Sequence, residues 1–172
     1  MAKAKTHDKL IISTTPIITI LFYIIVEYIN VTPTYYVPLM SFTYIFGGLL
    51  LSPDLDIKSA PFTKWGIIKF IWIPYQRIVK HRSILSHGIL IGTALRILYL
   101  VLIIGSIFTM FTPMTIIEFL DKVLLLLRNN EIYSISIFVA LELSAIVHIV
   151  ADKISTFSKK KYFFGYSLNN IT

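Results

Sequence analysis

Charged residues are distributed so that four long stretches of the chain carry almost none. Leu10 to Val26 is uncharged throughout, and so is Tyr28 to Pro53, which holds a second apolar run from Leu39 to Leu51. A third run extends from near Ser83 to Phe111, broken only by Arg96, and a fourth from Glu131 to Phe157 is divided by Glu142. A helix needs about 20 predominantly apolar residues to cross a bilayer, and runs of this kind meet that length. The pattern predicts an all-α fold: a polytopic membrane helical bundle with about four transmembrane helices, in one integral-membrane domain over 1–172. The expected spans are about 10–29, 35–52, 84–111 and 132–156.

The ends of these spans carry local signals. Thr6 is placed to cap the first helix, with Asp8 in its first turn against the helix dipole. Pro16 is expected to kink that helix without ending it. No small-residue cleavage pattern follows the first run, only Glu27-Tyr28-Ile29-Asn30, so an uncleaved anchor is expected rather than a signal peptide. Asn30 to Pro38 reads as a turn with two prolines. Gly47-Gly48 in the second span would let a neighbouring helix approach closely. Thr112-Pro113 should end the third span, and Thr115 to Arg128 reads as a further helix with acidic residues early and arginine late. Between spans two and three, about 57–80, Lys58, Lys64, Lys69, Arg77 and Lys80 alternate with Trp65, Phe70, Trp72 and Tyr75. That mixture predicts an interfacial segment lying among lipid headgroups, or else an amphipathic connector packed on protein.

Composition sharpens the class. Of 172 residues, 56% are hydrophobic and 15% charged, which points towards a membrane protein. The net charge of +7 would suit nucleic acid if it formed one patch, but its distribution fits membrane topology, and no nucleic-acid partner is expected. Of sixteen Lys and Arg, three precede the first span, six lie from Lys58 to Arg82, and four from Lys153 to Lys161. With four spans, all thirteen fall on one side, which the positive-inside rule makes cytoplasmic. Both termini are therefore expected in the cytoplasm, and the surrounding lipid is the expected partner; nothing in the chain specifies an oligomeric state.

The candidate chemistry lies on that same side. The four histidines, His7, His81, His87 and His148, all stand at span ends, as do Asp54, Asp56 and Asp152. There is no cysteine, so any metal must be held by imidazole and oxygen, a donor set that suits divalent zinc or manganese. His148 and Asp152 are four apart and share one helix face. Asp54 and Asp56 follow Pro53 and could both point into a cavity from a turning backbone. His81 and His87 are six apart, wrong for one helix face, but a helix capped at Ser83 would leave His81 in the preceding loop and His87 in the first turn. Each residue alone has an ordinary structural explanation, such as a surface histidine or a solvated turn. Arg96 and Glu142, deep within their spans, should face each other or a polar cavity, because unpaired charge in hydrocarbon is costly.

Several segments together resemble a known family: Thr6-His7-Asp8, Gly47-Gly48, Ser52-Pro53-Asp54-Leu55-Asp56, Lys64-Trp65-Gly66, Pro74-Tyr75, His81-Arg82-Ser83-Ile84-Leu85-Ser86-His87-Gly88 and His148-Ile149-Val150-Ala151-Asp152. They are similar to the DUF2227-like metal-binding membrane proteins of prokaryotes, prominent in cyanobacteria and archaea. The resemblance covers nearly the whole chain and implies a prokaryotic cell membrane, or a thylakoid membrane in a cyanobacterium. A more distant similarity is to YdjM-type membrane-bound metal-dependent hydrolases, whose His-Arg-Gly-x-Thr-His form is replaced here by His81-Arg82-Ser83-Ile84-Leu85-Ser86-His87. A weaker analogy is to all-helical zinc-dependent phospholipases C and nucleases. Two functions follow. In the first, a metal-dependent hydrolase cleaves an ester or phosphoester, a lipid-like substrate included, at the cytoplasmic membrane face. His7, Asp54, Asp56, His81, His87, His148 and Asp152 would be ligands, Asp56 a ligand or general base, and Arg82 a stabiliser of anionic charge. In the second, the same ligands close around an ion in a non-catalytic sensor, carrier or assembly factor.

Overall fold

The computed structural model describes residues 4–30 and 34–169, and among the described residues it holds eight α-helices and no strand. Helix α1 (Ala4–Ile29) runs through Pro16 unbroken, and α2 (Tyr36–Leu49) follows it. A 3₁₀ turn, Pro53–Asp56, leads to the short helix α3 (Ala60–Lys64), a second 3₁₀ segment (Gly66–Trp72) and α4 (Ile73–Ile78). Then come α5 (Ile84–His87), α6 (Ile91–Phe111), α7 (Ile116–Asn129) and α8 (Glu131–Asn169).

Helix α2 is the centre of the packing, because its two glycines admit neighbours on both sides. A side chain at Gly47 would strike Ser144 and Leu141 of α8, and one at Gly48 would lie 2.6 Å from Ile11 of α1. The close approach expected of this pair is therefore present, against two different helices. Ile11, Phe22 and Val26 of α1 close on Tyr36, Val37, Met40 and Tyr44 of α2 and on Ala140 of α8. Partly buried polar side chains at these contacts pair across helices, Thr14 with Tyr44 at 2.7 Å and Thr19 with Ser41 at 2.9 Å.

Large apolar side chains point outward along the long helices, among them Ile17 and Ile24 of α1, Leu98 and Ile104 of α6, and Ile135 of α8. A soluble monomer seldom exposes so much contiguous apolar surface. Four segments are long and apolar enough to cross a membrane: Thr6–Tyr28, Tyr36–Asp56, Ile91–Phe111 and Glu131–Phe157.

Three local expectations are corrected. Thr6 does not cap α1, because the helix already begins at Ala4; Asp8 instead pairs with Lys64 at 2.6 Å. Within the Asn30 to Pro38 turn, residues 31–33 lie outside the described residues, and Pro38 sits in the first turn of α2, where its missing N–H costs nothing. The third span does not run continuously from 84. It breaks between α5 and α6, where Leu90 takes φ 65 and donates its N–H to the Glu142 carboxylate of α8 at 2.9 Å. With ψ −51, Leu90 is the centre of a tight turn closed by the Ile91 N–H on the Ile89 carbonyl at 2.8 Å, a sparsely populated backbone that costs about 1–3 kcal/mol and that the Glu142 carboxylate helps to hold. The 57–80 connector is amphipathic, with two faces. Phe62, Trp72, Tyr75 and Val79 are buried against Leu51, Leu55 and Leu141, while Ile67, Phe70 and Ile78 face outward. Thr112 and the Thr115–Glu118 capping box end α6 and start α7 where the sequence placed those boundaries.

Candidate metal centre

One end of the bundle gathers the histidines and aspartates. His7 comes from the second turn of α1, and Ser52, Asp54 and Asp56 from the 3₁₀ turn after α2. Pro53 starts that turn and Ser52 caps it, its hydroxyl accepting from the Asp54 N–H at 3.5 Å. His81 and Arg82 lie in the turn between α4 and α5, with Arg82 in a left-handed conformation at φ 59. His87 ends α5. Ser83 does occupy the N-cap position of that helix, but its hydroxyl makes no capping bond. His148 and Asp152 stand one turn apart on α8.

Two groups of ligand atoms result. Asp54, His87, His148 and Asp152 offer one atom each within 4.8 Å of one another, and Asp56, His81 and His87 do the same. In the first group, Asp54 stands 3.5 Å from His87 Nε2 and 3.4 Å from His148 Nε2. Ligand bonds of about 2.0–2.2 Å at tetrahedral angles separate donor atoms by roughly 3.3–3.6 Å, so this spacing matches a coordination shell. His87 Nε2, His148 Nε2, Asp54 Oδ1 and both Asp152 oxygens are buried without hydrogen-bond partners. Buried polar atoms are nearly always paired, and a cluster of four unpaired residues facing one point is what a bound cation would satisfy. The residues present fit a divalent cation.

The remaining ring nitrogens explain why these atoms converge. Ser86 Oγ contacts the carbonyl oxygens of Lys80 and Ser83 at 3.3 Å each, and its single proton is donated there. Its oxygen is left to accept from His87 Nδ1–H at 2.8 Å, which puts the lone pair of His87 on Nε2, towards Asp54. Ser52 Oγ lies 3.2 Å from His148 Nδ1, a contact that orients the ring and in which either group can donate. Such outer partners fix the tautomer and orientation of metal-binding imidazoles. Neither serine was singled out from sequence. Ser86 adjoins His87 in the motif, but Ser52 lies 96 residues from His148 and gave no local signal.

The second group competes for the same ring. His87 Nδ1 lies 3.8 Å from Asp56 but is already engaged by Ser86, so the first group is the better-formed one. Asp56 is bonded instead to His81 Nδ1, at 2.9 and 3.1 Å to its two oxygens, which leaves His81 Nε2 unpartnered. Two expected site residues fall outside both groups. His7 stacks on His148 with ring centroids 4.1 Å apart, and its Nε2 is 3.2 Å from Asp152. Arg82 reaches to 4.0 Å from Asp152 and is about half exposed.

Behind the site, Arg96 is almost fully buried and donates to the Ser86 carbonyl at 2.8 Å and to Thr93 Oγ1 at 2.9 Å. Glu142 accepts from Leu90 as described. The two deep charges are both buried among polar groups but form no direct ion pair; each grips the 86–90 segment. Nearby, burial pushes the Tyr75 phenol above its ordinary pKa against the pull of Arg96, so it stays neutral near pH 7.

A cavity of about 530 Å³ opens beside the first group. It is lined by His87 and Asp152, by Arg82, Ser83 and Lys153, and by an apolar wall that includes Ile84, Ile89, Ile149 and Phe157.

Comparison with known proteins bears on this geometry. A family model described as "Uncharacterized metal-binding protein (DUF2227)" matches residues 2–162. An "Uncharacterized protein" of Aquifex aeolicus (strain VF5) is 40% identical over 58 residues, which is 33% of this chain and 40% of that relative. The match thus spans less than half of the relative's length. No solved structure matches. Because the family model covers nearly the whole chain, the protein belongs to the DUF2227 family.

Proposed function

We propose that this member of the DUF2227 family is an integral membrane protein that holds one or two divalent cations, zinc or manganese, at the cytoplasmic end of a four-span bundle. We further propose that it hydrolyses an ester or phosphoester at that membrane face. The observation that carries this reading is the set of unpartnered, buried ligand atoms of Asp54, His87, His148 and Asp152, spaced like a coordination shell beside an open cavity. Those four residues are the proposed ligands. His7, stacked on His148 and 3.2 Å from Asp152, supports two of them from α1.

A cation held there supplies Lewis acidity, lowering the pKa of a water molecule and polarising the scissile group. Asp56 and His81 lie to one side as a bonded pair. They either ligate a second ion, or Asp56 orients the imidazole while His81 Nε2 moves the proton of the attacking water. Arg82 lines the cavity, where its guanidinium would face developing negative charge.

One observation favours the non-catalytic alternative. Four protein ligands suffice to close a tetrahedral shell, which is the pattern of structural zinc sites. Assaying the detergent-purified protein for metal content and for cleavage of chromogenic carboxylic and phosphodiester substrates separates the two. Bound metal with chelator-sensitive turnover is expected; bound metal without turnover would favour a sensor, carrier or assembly factor, and absence of metal would end both readings.

The orientation rests on thirteen of sixteen basic residues flanking one end of the spans. Reporters fused at the N- and C-termini should both be cytoplasmic, and one inserted after Asn30 should face the other side. Termini on opposite sides would rule out a shared cytoplasmic site.

A further inference from the structure

The cavity beside the ligand groups has two unlike ends. Arg82 and Lys153 stand at its rim, and the Ser83 hydroxyl, buried and unpartnered, also faces its lining. Asp152 is the one carboxylate among its lining residues, and it is already approached by His7 and Arg82. The rim is therefore left with a net positive character. Away from the rim the wall is apolar, formed by Ile84, Ile89, Ile149 and Phe157. Ile84 is 70% exposed, Ile89 60% and Phe157 73%, so that wall lies open to whatever surrounds the bundle.

A polar substrate arriving from water would gain nothing from that open apolar side. A bilayer lipid matches it in both chemistry and direction. Its headgroup lies at the level where basic side chains collect, and its chain runs inward past the aliphatic residues. The volume is within the range of pockets that enclose ligands of drug-like size.

We propose that this cavity is the binding site of an anionic lipid phosphate, entered sideways from the bilayer. The phosphate sits between Arg82, Lys153 and the Ser83 hydroxyl, and one chain lies along Ile84, Ile89, Ile149 and Phe157. The phosphate then rests next to His87 and Asp152, which rim the first ligand group. To this extent the inference deepens the hydrolase reading and rests on it for the identity of the bond attacked; binding itself requires no turnover. Arg82, a lining residue, is held at φ 59 in the turn before α5, a conformation that L side chains seldom adopt.

The test is native mass spectrometry of the detergent-purified full chain with added dioleoyl phosphatidic acid, dioleoyl phosphatidylcholine, or inorganic phosphate. Phosphatidic acid should bind one per chain, in clear preference to phosphatidylcholine, and excess inorganic phosphate should displace it only weakly. An R82N/K153Q variant should lose about tenfold or more in phosphatidic acid affinity, since each basic group near a membrane surface contributes about 1 kcal/mol. Asparagine is chosen at position 82 because it tolerates the left-handed backbone. I84D, on an exposed position where folding is not at stake, should weaken lipid binding and leave inorganic phosphate unaffected. Equal binding of the two lipids, or unchanged affinity in both variants, overturns the proposal, and so does phosphate competing as well as the lipid. Metal content measured on the same samples separates the two failures. Metal retained with no selective lipid binding defeats this inference alone, whereas selective lipid binding to a protein that never holds metal defeats the hydrolase reading alone.

Discussion

Replacing His87 by alanine is expected to strip the purified protein of nearly all its metal, and replacing His148 to remove the ion held in the first ligand group. Losing an outer partner of a metal ligand typically costs about 10–100-fold in affinity, and losing the ligand itself should cost more. No cysteine is present to substitute. The two substitutions differ in an informative way, because His87 belongs to both ligand groups while His148 belongs to one. If a single ion occupies the Asp54, His87, His148 and Asp152 group, His81→Ala should leave the stoichiometry intact. If a second ion occupies the Asp56, His81 and His87 group, His81→Ala should lose that ion alone, His148→Ala should keep it, and His87→Ala should lose both. Elemental analysis alongside circular dichroism keeps folding separate from binding, since truncating one ring removes no backbone hydrogen bond of a helix and should leave helix content unchanged. Full metal stoichiometry in both His87→Ala and His148→Ala would show that the cluster is structural.

The helices were legible because long apolar runs leave a sequence few choices. Four helices long and apolar enough to cross a membrane show directly as nearly uncharged runs, and Thr112-Pro113 and the acidic start of the helix from Thr115 mark boundaries between them. The gathering of histidines at one end followed from the same reading, because the span count and charge bias fix which ends lie together. What stayed hidden depends on contacts between distant residues. The break at Leu90 is held by Glu142, 52 positions away, and nothing near Leu90 announces it. Ser52 reaches His148 through the fold, so its role as an imidazole partner had no sequence signature. His7 carried the same signal as the other histidines, yet the structure places it in a stacked layer behind His148. Periodicity locates a side chain on a face; it does not say which of two neighbouring rings points its free nitrogen inward.

Arg96→Met and Glu142→Gln should each weaken metal binding by about 10–100-fold, although neither residue is among the ligands. The reason lies in the segment that carries His87. Arg96 binds the Ser86 carbonyl at one end of that segment, and Glu142 binds the Leu90 N–H at the other. Ser86 in turn sets the tautomer of His87, so loosening the segment lets the imidazole lose its aim. Methionine roughly fills the space of arginine but leaves the Ser86 carbonyl buried without its donor, at a cost of about 1–3 kcal/mol. A purely electrostatic account makes a different forecast. There the two charges merely balance each other in a low-dielectric interior, and removing one strands the other. On that account the double variant Arg96→Met/Glu142→Gln, which is neutral at both positions, should recover metal affinity. If the two residues position His87, the double variant stays weak, while Arg96→Lys, which can keep one of the two hydrogen bonds, recovers part of the loss. Titration against a chelator of known affinity reads all four variants on one scale. Unchanged affinity in both single variants, with the helices intact, would show that the deep charges have no part in the site.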